Sequence, residues 1–459
     1  MNSLENLSEL FKQEFAPYRH VGILGFGREG KSTYMLIRKY CPDLKLVIAD
    51  QNPNAISNQL LNNDAYIEIL EGKDYLNIFN KTDYIFISPG IPLFGTVVPP
   101  QVKISSQTDF IFRHFGQKIV AITGTKGKST TSSLIAHMLN VKYNNIPLAG
   151  NIGIPPFDVI EQLQSVDYAV FEVSSHQLQY ISSAPKVAIL LNLFPEHLDY
   201  YPDNERYYNA KRNIFKYQKK HDCIILNNDE NEVMATFEHT PADILHYSLR
   251  DHGLIGAFVK DNIICHRNEK TKQVICVDEL QLKGKHNVSN CLSAVCACHF
   301  LNLNIDEIHT GLKTFIGLPH RMEKIVTQSG RIFYNDSIAT IPEATLAAIE
   351  ALNPVTTLIL GGMDRGLPYD KFLTQIFSGN VNTICFYGDA GLRMYEETHK
   401  RTHNKHLFYH QEFEQSVRHA ISLTAKDEIC LLSPAASSYD QFKNFEERGE
   451  AFRKIVVEG

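Results

Sequence analysis

The chain has 459 residues, and a single hydrophobic core rarely extends beyond about 250–300 residues, so two or three domains are expected. Hydrophobic residues make up 44 % and charged residues 21 % of the chain, an ordinary globular mixture. The net charge of −6 and the scattered lysines and arginines argue against a nucleic-acid partner. No apolar run has the length of a signal peptide core or a membrane span. The nine cysteines form no repeated CxxC pair, which predicts neither a zinc site nor disulfides and fits a reducing cytoplasm.

Three α/β blocks follow one another, over residues 1–110, 111–316 and 317–459. In each block, short runs rich in Val and Ile alternate with helical patterns, which predicts parallel sheets. The predicted strands are 20–25, 45–49, 84–88, 118–123, 168–173, 187–193, 223–226, 331–334, 357–360, 383–387 and 429–432. Residues 243–282 alternate between apolar and polar side chains and predict a small antiparallel patch. The last helix is predicted from about 440 to 456.

A glycine-rich run, Ile-Thr-Gly-Thr-Lys-Gly-Lys-Ser-Thr from Ile122 to Thr130, follows a predicted strand and opens a helix. Glycines in such a turn let backbone N–H groups close around phosphate oxygens, and the helix N-terminus adds partial positive charge. Lys128 can neutralise nucleotide phosphates, and Ser129 or Thr130 can offer a hydroxyl to Mg²⁺. Ile122 stands where the usual GxxxxGK[ST] pattern has its first glycine, so the run is not an exact match. Its position between a strand and a helix is the stronger evidence for a triphosphate site. The alternative is a glycine-rich turn with a solvated lysine.

Two more side chains lie at the ends of predicted strands. Glu172 closes the strand 168–173, and His197 follows the strand 187–193. Ligands bind outside the carboxyl ends of strands in open α/β sheets, so Glu172 suits Mg²⁺ and His197 suits a metal or a phosphate. A surface glutamate and a structural histidine are the alternatives. Lys211 lies in a helical stretch and by itself indicates only a solvated helix lysine.

Several polar residues suit a nucleotide, although each is a weak signal alone. Asparagines within Gly284–Asn290 can contact adenine, or one of them can cap the following helix. Arg321 suits phosphate and Asp336 suits a ribose diol. The turn Gly25–Gly30 matches GxGxxG after a strand, and Asp50 ends the next strand; alone this pattern suggests a dinucleotide, but it has many false positives.

Taken together, these strings resemble the Mur ligases, and within that family the branch that adds glutamate to a UDP-linked muramoyl-alanine. The motifs that carry the resemblance are GTKGKST at 124–130, GNIG at 150–153, EVSSHQL at 172–178, NLFPEHLDYY at 192–201, YNAKRNIF at 208–215, GKHNVSN at 284–290, PHRME at 319–323, NDSIAT at 335–340 and SPAASSYDQFKNFEERG at 433–449. They span essentially the whole chain. The resemblance implies three α/β domains: a Rossmann-like domain that binds the UDP substrate, a central P-loop ATPase-like domain, and a Rossmann-like C-terminal domain that binds the amino acid and closes over ATP.

The same resemblance implies a reaction. ATP would phosphorylate the alanyl carboxylate of UDP-N-acetylmuramoyl-L-alanine to an acyl phosphate, which the amine of glutamate would attack as phosphate leaves. ATP and two Mg²⁺ ions are the implied cofactors, and the implied protein is a cytoplasmic monomer without nucleic-acid or membrane partners. Lys211 falls where the family has a carbamylated lysine whose new carboxylate binds the second metal ion.

The resemblance also assigns individual residues to each ligand. Catalysis is assigned to Lys128, Lys211, Glu172 and His197. ATP binding is assigned to Gly124, Thr125, Lys126, Gly127, Lys128, Ser129, Thr130, Asn290, Arg321 and Asp336, and metal binding to Ser129, Thr130, Glu172, His197 and carbamylated Lys211. The UDP substrate is assigned to Gly25, Phe26, Gly27, Gly30, Asp50, Ser88, Pro89, Gly90, Asn151 and Gln177, and glutamate to Thr340, Arg365, Ser438 and Phe445.

One loop departs from the family pattern. The family reads DSKATN where this chain places Ile338 in the position of the lysine and Ile341 in the position of the asparagine. Loss of a cation beside an anionic amino acid removes an electrostatic partner and so leaves the identity of the acceptor open. D-glutamate is the expected acceptor, and L-glutamate is its rival.

Two other kinds of protein are alternatives. A folylpolyglutamate synthase shares the ATP-binding core but would not need the first block. A non-catalytic nucleotide-binding relative would be expected to have lost such chemical residues, but Lys128, Glu172, His197 and Lys211 are all present.

Overall fold

A computed structural model describes residues 3–56, 61, 64–197, 199–235, 237, 240–327, 330–400 and 404–458. By their contacts, the residues fall into two compact units, Met1–Glu279 with Ser289–Lys313, and Leu280–Val288 with Thr314–Gly459. The strands in the described part of the chain form three sheets, which confirms an α/β fold. None of the described helices has the length and apolar character needed to cross a membrane.

The first sheet is parallel and has the strand order β3-β2-β1-β4-β5. Its strands are β1 (Val21–Leu24), β2 (Leu46–Asp50), β3 (Ile67–Glu71), β4 (Tyr84–Ile87) and β5 (Lys103–Ser105). All four residues of β1 and of β4 are buried, as expected for central strands covered on both faces. The order reverses next to β1, where open α/β sheets bind their ligands.

The central sheet has the order β14-β13-β12-β11-β10-β9-β6-β8-β7. Its strands are β6 (Ile119–Thr123), β7 (Leu148–Gly150), β8 (Ala169–Glu172), β9 (Val187–Leu190), β10 (Cys223–Asn227), β11 (Asp243–Ser248), β12 (Gly256–Lys260), β13 (Ile263–Arg267) and β14 (Thr271–Cys276). The antiparallel patch is confirmed for β12, β13 and β14, but β11 pairs in parallel with β10 and with β12. A two-residue turn at Asp261 and Asn262, both with positive φ, joins β12 to β13 and fixes that hairpin.

The sheet of the C-terminal unit has the order β15-β16-β20-β17-β18-β19. Its strands are β15 (Glu323–Val326), β16 (Ile332–Asn335), β17 (Thr357–Gly361), β18 (Thr383–Tyr387), β19 (His406–His410) and β20 (Ile429–Leu432). Of the strands described in this sheet, β15 is antiparallel to its neighbour and the others pair in parallel. Hydrophobic side chains on the two faces of this sheet form separate clusters, so helices cover both faces.

Helices connect these strands. The α-helices in the described residues are Ser3–Phe15, Arg28–Tyr40, Gln107–Phe115, Lys128–Leu139, Ser175–Leu178, Asn204–Lys216, Asn231–Ala235, Lys285–Phe300, Ile305–Thr314, Pro342–Ala351, Asp370–Ser378, Gly388–Thr398, Phe413–Leu423 and Phe445–Glu458. Short 3-10 turns are Gly72–Asn80, Gly116–Lys118, Pro156–Val159, Gln162–Gln164 and Val277–Glu279. The last helix begins five residues later than the 440 expected from the sequence, because an irregular loop occupies the residues before it.

The first and central sheets share one hydrophobic core. Phe11, Phe86, Phe110 and Phe157 have ring centroids within 4.9–6.2 Å of their neighbours and belong to a cluster that continues into the central sheet. The helix Gln107–Phe115 lies across the predicted boundary at residue 110. The division into three domains at 110 and 316 therefore stays a prediction.

Candidate active site

The phosphate loop lies between β6 and the helix Lys128–Leu139, as predicted. Gly124 and Gly127 have φ values of 156° and 86°, which side chains rarely adopt. A Cβ on Gly127 would lie 2.7 Å from Oδ1 of Asn290, so the asparagine predicted to contact the nucleotide packs directly on the loop. Glycine is thus required both by the backbone geometry and by the close approach of Asn290.

Asn192 holds the loop from the end of β9. Its carbonyl accepts a hydrogen bond from Thr125 N at 3.1 Å, its Oδ1 accepts one from Lys126 N at 2.8 Å, and its Nδ2 donates to the Lys126 carbonyl at 3.0 Å. The Thr125 hydroxyl lies 3.1 Å from the Tyr207 hydroxyl. Asn192 therefore fixes three backbone groups of the turn, and Tyr207 contacts its threonine side chain; the sequence assigned no role to either residue.

Two lysines share one carbonyl of this loop. The Gly124 carbonyl accepts hydrogen bonds from Nζ of Lys128 at 3.0 Å and from Nζ of Lys211 at 2.9 Å, and Lys128 also donates to the Thr125 carbonyl at 3.0 Å. Lys211 is only 2 % exposed and lies over the Tyr207 ring. Burial, and then the positive charge of Lys128, hold the pKa of Lys211 well below its usual range. A lowered pKa favours the neutral, nucleophilic amine, which is the form that carbamylation by CO₂ requires.

Glu172 ends β8 in the interior of the central sheet. It is buried, and its Oε1 accepts a hydrogen bond from Asn151 Nδ2 at 2.8 Å. Its other oxygen, Oε2, is buried without a hydrogen-bond partner among the described residues. An unpaired buried carboxylate oxygen is costly unless a ligand completes it. The Glu172 backbone carbonyl also accepts a hydrogen bond from Asn151 N. Glu172, assigned to the metal, and Asn151, assigned to the UDP substrate, are therefore hydrogen-bonded to each other.

His197 lies in a loop beside a cluster of aromatic residues. It has a positive φ of 60°, and its ring centroid is 5.2 Å from that of His176 and 5.8 Å from that of Tyr207. Burial, followed by the nearby His197 and Lys211, lowers the pKa of His176 to about 4. His176 is therefore uncharged at neutral pH, and it adds no positive charge beside His197. The sequence did not single out His176.

The glycine turn of the first block follows β1 and opens the helix Arg28–Tyr40. Asp50 does not project freely from β2, because its two oxygens accept hydrogen bonds from Phe26 N at 2.7 Å and Asn52 N at 2.8 Å. The Ser88 hydroxyl donates to the Gly25 carbonyl at 2.8 Å. Asp50 and Ser88 therefore shape this turn from both neighbouring strands, which is a role that the GxGxxG pattern did not predict.

The remaining residues assigned to the UDP substrate lie at the same edge or face it from the central sheet. Phe26 is buried, whereas Pro89 and Gly90 lie on the more exposed loop after β4. A Cβ on Gly30 would lie 2.1 Å from the Gly25 carbonyl, so only glycine fits where the helix crosses the turn. Gln177 lies in the helix Ser175–Leu178 and donates a hydrogen bond to Glu29 in the turn.

Asp336 lies at the end of β16 in the C-terminal unit. It is buried, and its oxygens accept hydrogen bonds from Met322 N at 3.2 Å and from the Ser433 hydroxyl at 2.8 Å. Burial raises the pKa of Asp336 to about 7, although the Ser433 hydrogen bond and the charge of Arg321 oppose the shift. Asp336 and Arg321, both assigned to the nucleotide, therefore interact within one unit.

The four residues assigned to glutamate lie on three loops and at the start of the last helix of the C-terminal unit, and hydrogen bonds link these segments. Arg365 is exposed and donates to the Thr340 carbonyl at 3.1 Å. Met363 N donates to the Ser437 carbonyl at 2.9 Å, next to buried Ser438. The Ser337 hydroxyl donates to the Phe445 carbonyl at 2.8 Å. These contacts bring the loops 337–340, 363–365 and 436–438 and the start of the last helix into one region.

Arg448 is fully buried beneath these loops. Its Nε and one terminal nitrogen donate to the Ser337 hydroxyl at 2.9 Å and the Ser337 carbonyl at 2.7 Å. Its other terminal nitrogen donates to the Ala436 carbonyl at 3.1 Å and the Tyr387 hydroxyl at 3.0 Å. One guanidinium group therefore holds two of the loops that carry the predicted glutamate residues. Sequence reasoning missed it because a lysine or arginine inside a helical pattern usually indicates a solvated face.

Replacing Arg448 with methionine is expected to destabilise the protein by about 3–5 kcal/mol, because it leaves buried carbonyls unpaired and removes a hydrogen-bonded charge. Arg418→Met is the matched control, since Arg418 is exposed and forms an ion pair with Glu414 along its own helix. A surface pair of this kind contributes roughly 0.2–1 kcal/mol. Denaturant-induced unfolding of both variants measures the difference, and equal midpoints for the two would contradict the role given to Arg448.

Known proteins resemble this chain in sequence along nearly its full length. Residues 122–298 match the model of the Mur ligase middle domain. A UDP-N-acetylmuramoylalanine–D-glutamate ligase of Caldanaerobacter subterraneus subsp. tengcongensis is 33 % identical over 86 % of this chain and 88 % of its own length. Proteins of the same name from Clostridium kluyveri and Oceanobacillus iheyensis are 30 % and 32 % identical, covering 97 % and 95 % of this chain and 98 % and 97 % of their own lengths.

Solved structures resemble the fold. MurF from Acinetobacter baumannii superposes with a TM-score of 0.64 at 16 % identity, covering 98 % of both chains. A pseudomurein peptide ligase type C from Methanothermus fervidus gives a TM-score of 0.55 at 17 % identity, covering 95 % of this chain and 99 % of that one. At such identities the likeness concerns the fold alone. With the sequence relatives, the phosphate loop and the polar strand ends, it follows that the chain belongs to the Mur ligase family of ATP-dependent amide-bond-forming ligases.

Proposed function

We propose that this enzyme adds D-glutamate to UDP-N-acetylmuramoyl-L-alanine at the expense of ATP, in the cytoplasmic synthesis of peptidoglycan precursors. The observation that carries the proposal is the pair of lysines, Lys128 and Lys211, on the Gly124 carbonyl of the phosphate loop. The full-length relatives named as D-glutamate ligases support the substrate. They give no support to L-glutamate as the acceptor, so the alternative raised by Ile338 is not retained. A monomer is part of the same proposal.

The chemistry begins with a carboxylate, which is a poor electrophile until it is phosphorylated. Backbone N–H groups of the phosphate loop and the Lys128 ammonium bind and orient the triphosphate, so that the terminal phosphoryl group faces the alanyl carboxylate. Transfer forms an acyl phosphate and releases ADP. The glutamate amine then attacks the acyl carbon, loses a proton, and the C–O bond to phosphate breaks.

The donors at the end of the central sheet suit Mg²⁺, which is a hard cation that prefers oxygen ligands. The unpaired, buried Oε2 of Glu172 supports a cation at this position. Ser129 and Thr130 would hold one ion, and Glu172, His197 and the carbamate of Lys211 would hold a second. Bound Mg²⁺ supplies charge neutralisation at the phosphate oxygens. The depressed pKa and burial of Lys211 support carbamylation of this residue in particular.

The acceptor is proposed to bind the C-terminal unit through Thr340, Arg365, Ser438 and Phe445. Arg365 is suited to a carboxylate of glutamate, because it is exposed and donates a hydrogen bond to the Thr340 carbonyl. Ile338 is partly buried and offers no charge, so Arg365 takes over the electrostatic part of acceptor binding.

Purified protein with ATP, Mg²⁺ and UDP-N-acetylmuramoyl-L-alanine is expected to release phosphate when D-glutamate is added, and to remain at background with L-glutamate. The enzyme is expected to distinguish the two enantiomers because the amine and both carboxylates of the acceptor must be positioned at the same time. Phosphate release and product mass are measured for both enantiomers. Turnover with L-glutamate alone would overturn the proposed acceptor, and silence with both would overturn the proposed reaction.

A further inference from the structure

A glutamate in the predicted diphosphate-binding turn is unexpected on electrostatic grounds. Glu29 is the second residue of the helix Arg28–Tyr40, immediately after the glycine turn. A helix N-terminus after such a turn favours anions, and a carboxylate fixed beside a bound diphosphate would repel it. The position of the Glu29 side chain resolves this conflict.

The Glu29 carboxyl turns toward the central sheet instead of toward the N-terminus of its own helix. Its Oε1 accepts a hydrogen bond from Gln177 Nε2 at 2.8 Å. Its Oε2 is buried and has no hydrogen-bond partner in the part of the chain that the structure describes. A buried oxygen without a partner is far less costly on a neutral acid than on a carboxylate. Glu29 is thus built into the interior in a way that suits its protonated form.

The bond to Glu29 fixes the orientation of Gln177. The Gln177 Oε1 already accepts from Ser174 N at 3.1 Å and from the Ser174 hydroxyl at 3.4 Å, and Gln177 N donates to Ser174 Oγ at 3.2 Å. This reciprocal cap leaves Nε2 to find another acceptor, and Glu29 provides it. Without Glu29, the amide group of a buried glutamine would lack its acceptor and lose its anchor to the first sheet.

Among the described residues, the hydrogen-bond partners of Glu29 carry no compensating charge. Its backbone carbonyl accepts hydrogen bonds from Gln107 and Thr33, and its carboxyl accepts one from Gln177, so none of these partners titrates. Burial raises the pKa of Glu29 to about 7, opposed only by the Gln177 hydrogen bond. Below that pH, the neutral acid is the main form of the group.

We propose that Glu29 is a positioning residue for the UDP-linked substrate, which holds the Gln177 amide in place as a neutral acid and so adds no negative charge beside the diphosphate. The inference rests on the proposed function, because it takes the glycine turn and Gln177 to contact that substrate. It assigns to Glu29 an effect on substrate binding and none on the phosphoryl or acyl transfer.

Steady-state kinetics of the full chain test this role. Glu29→Ala is expected to raise KM for the UDP-linked substrate about 5- to 100-fold, the effect of leaving one buried partner unpaired, with kcat and the KM values for ATP and D-glutamate retained. Glu29→Gln, which is neutral and of the same shape, restores a low KM. Glu68→Ala, at an exposed glutamate on the outer strand β3, is the matched control and leaves KM unchanged.

Two further comparisons separate positioning from a general loss of structure. If Glu29 acts through Gln177, then Gln177→Ala raises KM as Glu29→Ala does, and the double variant adds nothing further. Between about pH 6 and about pH 8.5, KM of the wild type rises relative to that of Glu29→Gln, because only the wild type gains a charge. Additive effects, or parallel pH profiles of wild type and Glu29→Gln, overturn the inference. Inactivity of the wild type itself would instead overturn the proposed function.

Discussion

Lys128→Ala is expected to lower turnover at least about 10²–10³-fold, the range seen when one preorganised electrostatic contact to a transition state is lost. The lysine begins the helix that follows the phosphate loop, and its Nζ lies over the Gly124 and Thr125 carbonyls. This is where the charge of a triphosphate would be neutralised. Phosphate release with saturating substrates measures the loss.

The fold should survive this substitution. Lys128 is partly exposed, and β6 and the helix around it are anchored by buried apolar side chains. Lys220→Ala is a suitable control because Lys220 is an exposed lysine of the same unit, outside the predicted site. Circular dichroism and thermal melting should be alike for both variants and wild type. Near-normal turnover of Lys128→Ala would refute the assignment of the loop.

Lys211→Ala is expected to reduce activity at least about 10–100-fold, which is the range reached by losing even an indirect partner of a metal ligand. Lys211 is buried, its pKa is depressed, and its Nζ bonds the Gly124 carbonyl. Loss of this side chain therefore removes a contact to the phosphate loop as well as the proposed carbamate. Turnover is measured with and without short-chain carboxylic acids, which can enter the vacated space.

Partial recovery of Lys211→Ala by such acids would indicate that the missing group is a carboxylate, because an acid cannot replace the contact that the amine makes to Gly124. A carbon-13 carbamate signal from wild type in labelled bicarbonate gives an independent reading. Lys216→Ala, an exposed lysine one and a half turns further along the same helix, is the control. Full activity of Lys211→Ala, or recovery by no acid together with no carbamate signal, would remove the carbamate from the mechanism.

The strands with continuous apolar runs were predictable because burial on both faces leaves a strong signal. The predicted starts and ends of β4, β6, β17, β18 and β20 lie within one residue of those observed. The short edge strands β5 and β7 and the half-exposed β3 escaped prediction, since their side chains do not form buried runs. The parallel pairing of β11 escaped because alternation of side chains reports burial of one face and says nothing about strand direction.

In the site, residues that belong to a local sequence motif were predictable. Residues whose role depends on contacts to distant parts of the chain were not. The glycines and Lys128 belong to a pattern with a phosphate-binding mechanism. Lys211 carried no signal except its match to the family, and its burial and its shared carbonyl give it a physical basis. Asn192, Glu29 and Arg448 make their contacts to residues 66, 148 and 111 positions away, which no local pattern encodes.

Arg448 also bears on how inhibitors of the acceptor site should be built. Because this buried group already fixes the Ser337 and Ala436 segments through three hydrogen bonds, the loops lose little conformational freedom when a ligand arrives. Rigid cyclic analogues of the amino acid should therefore gain affinity mainly by reducing their own entropy loss. Flexible chain extensions that depend on an adapting loop should gain little.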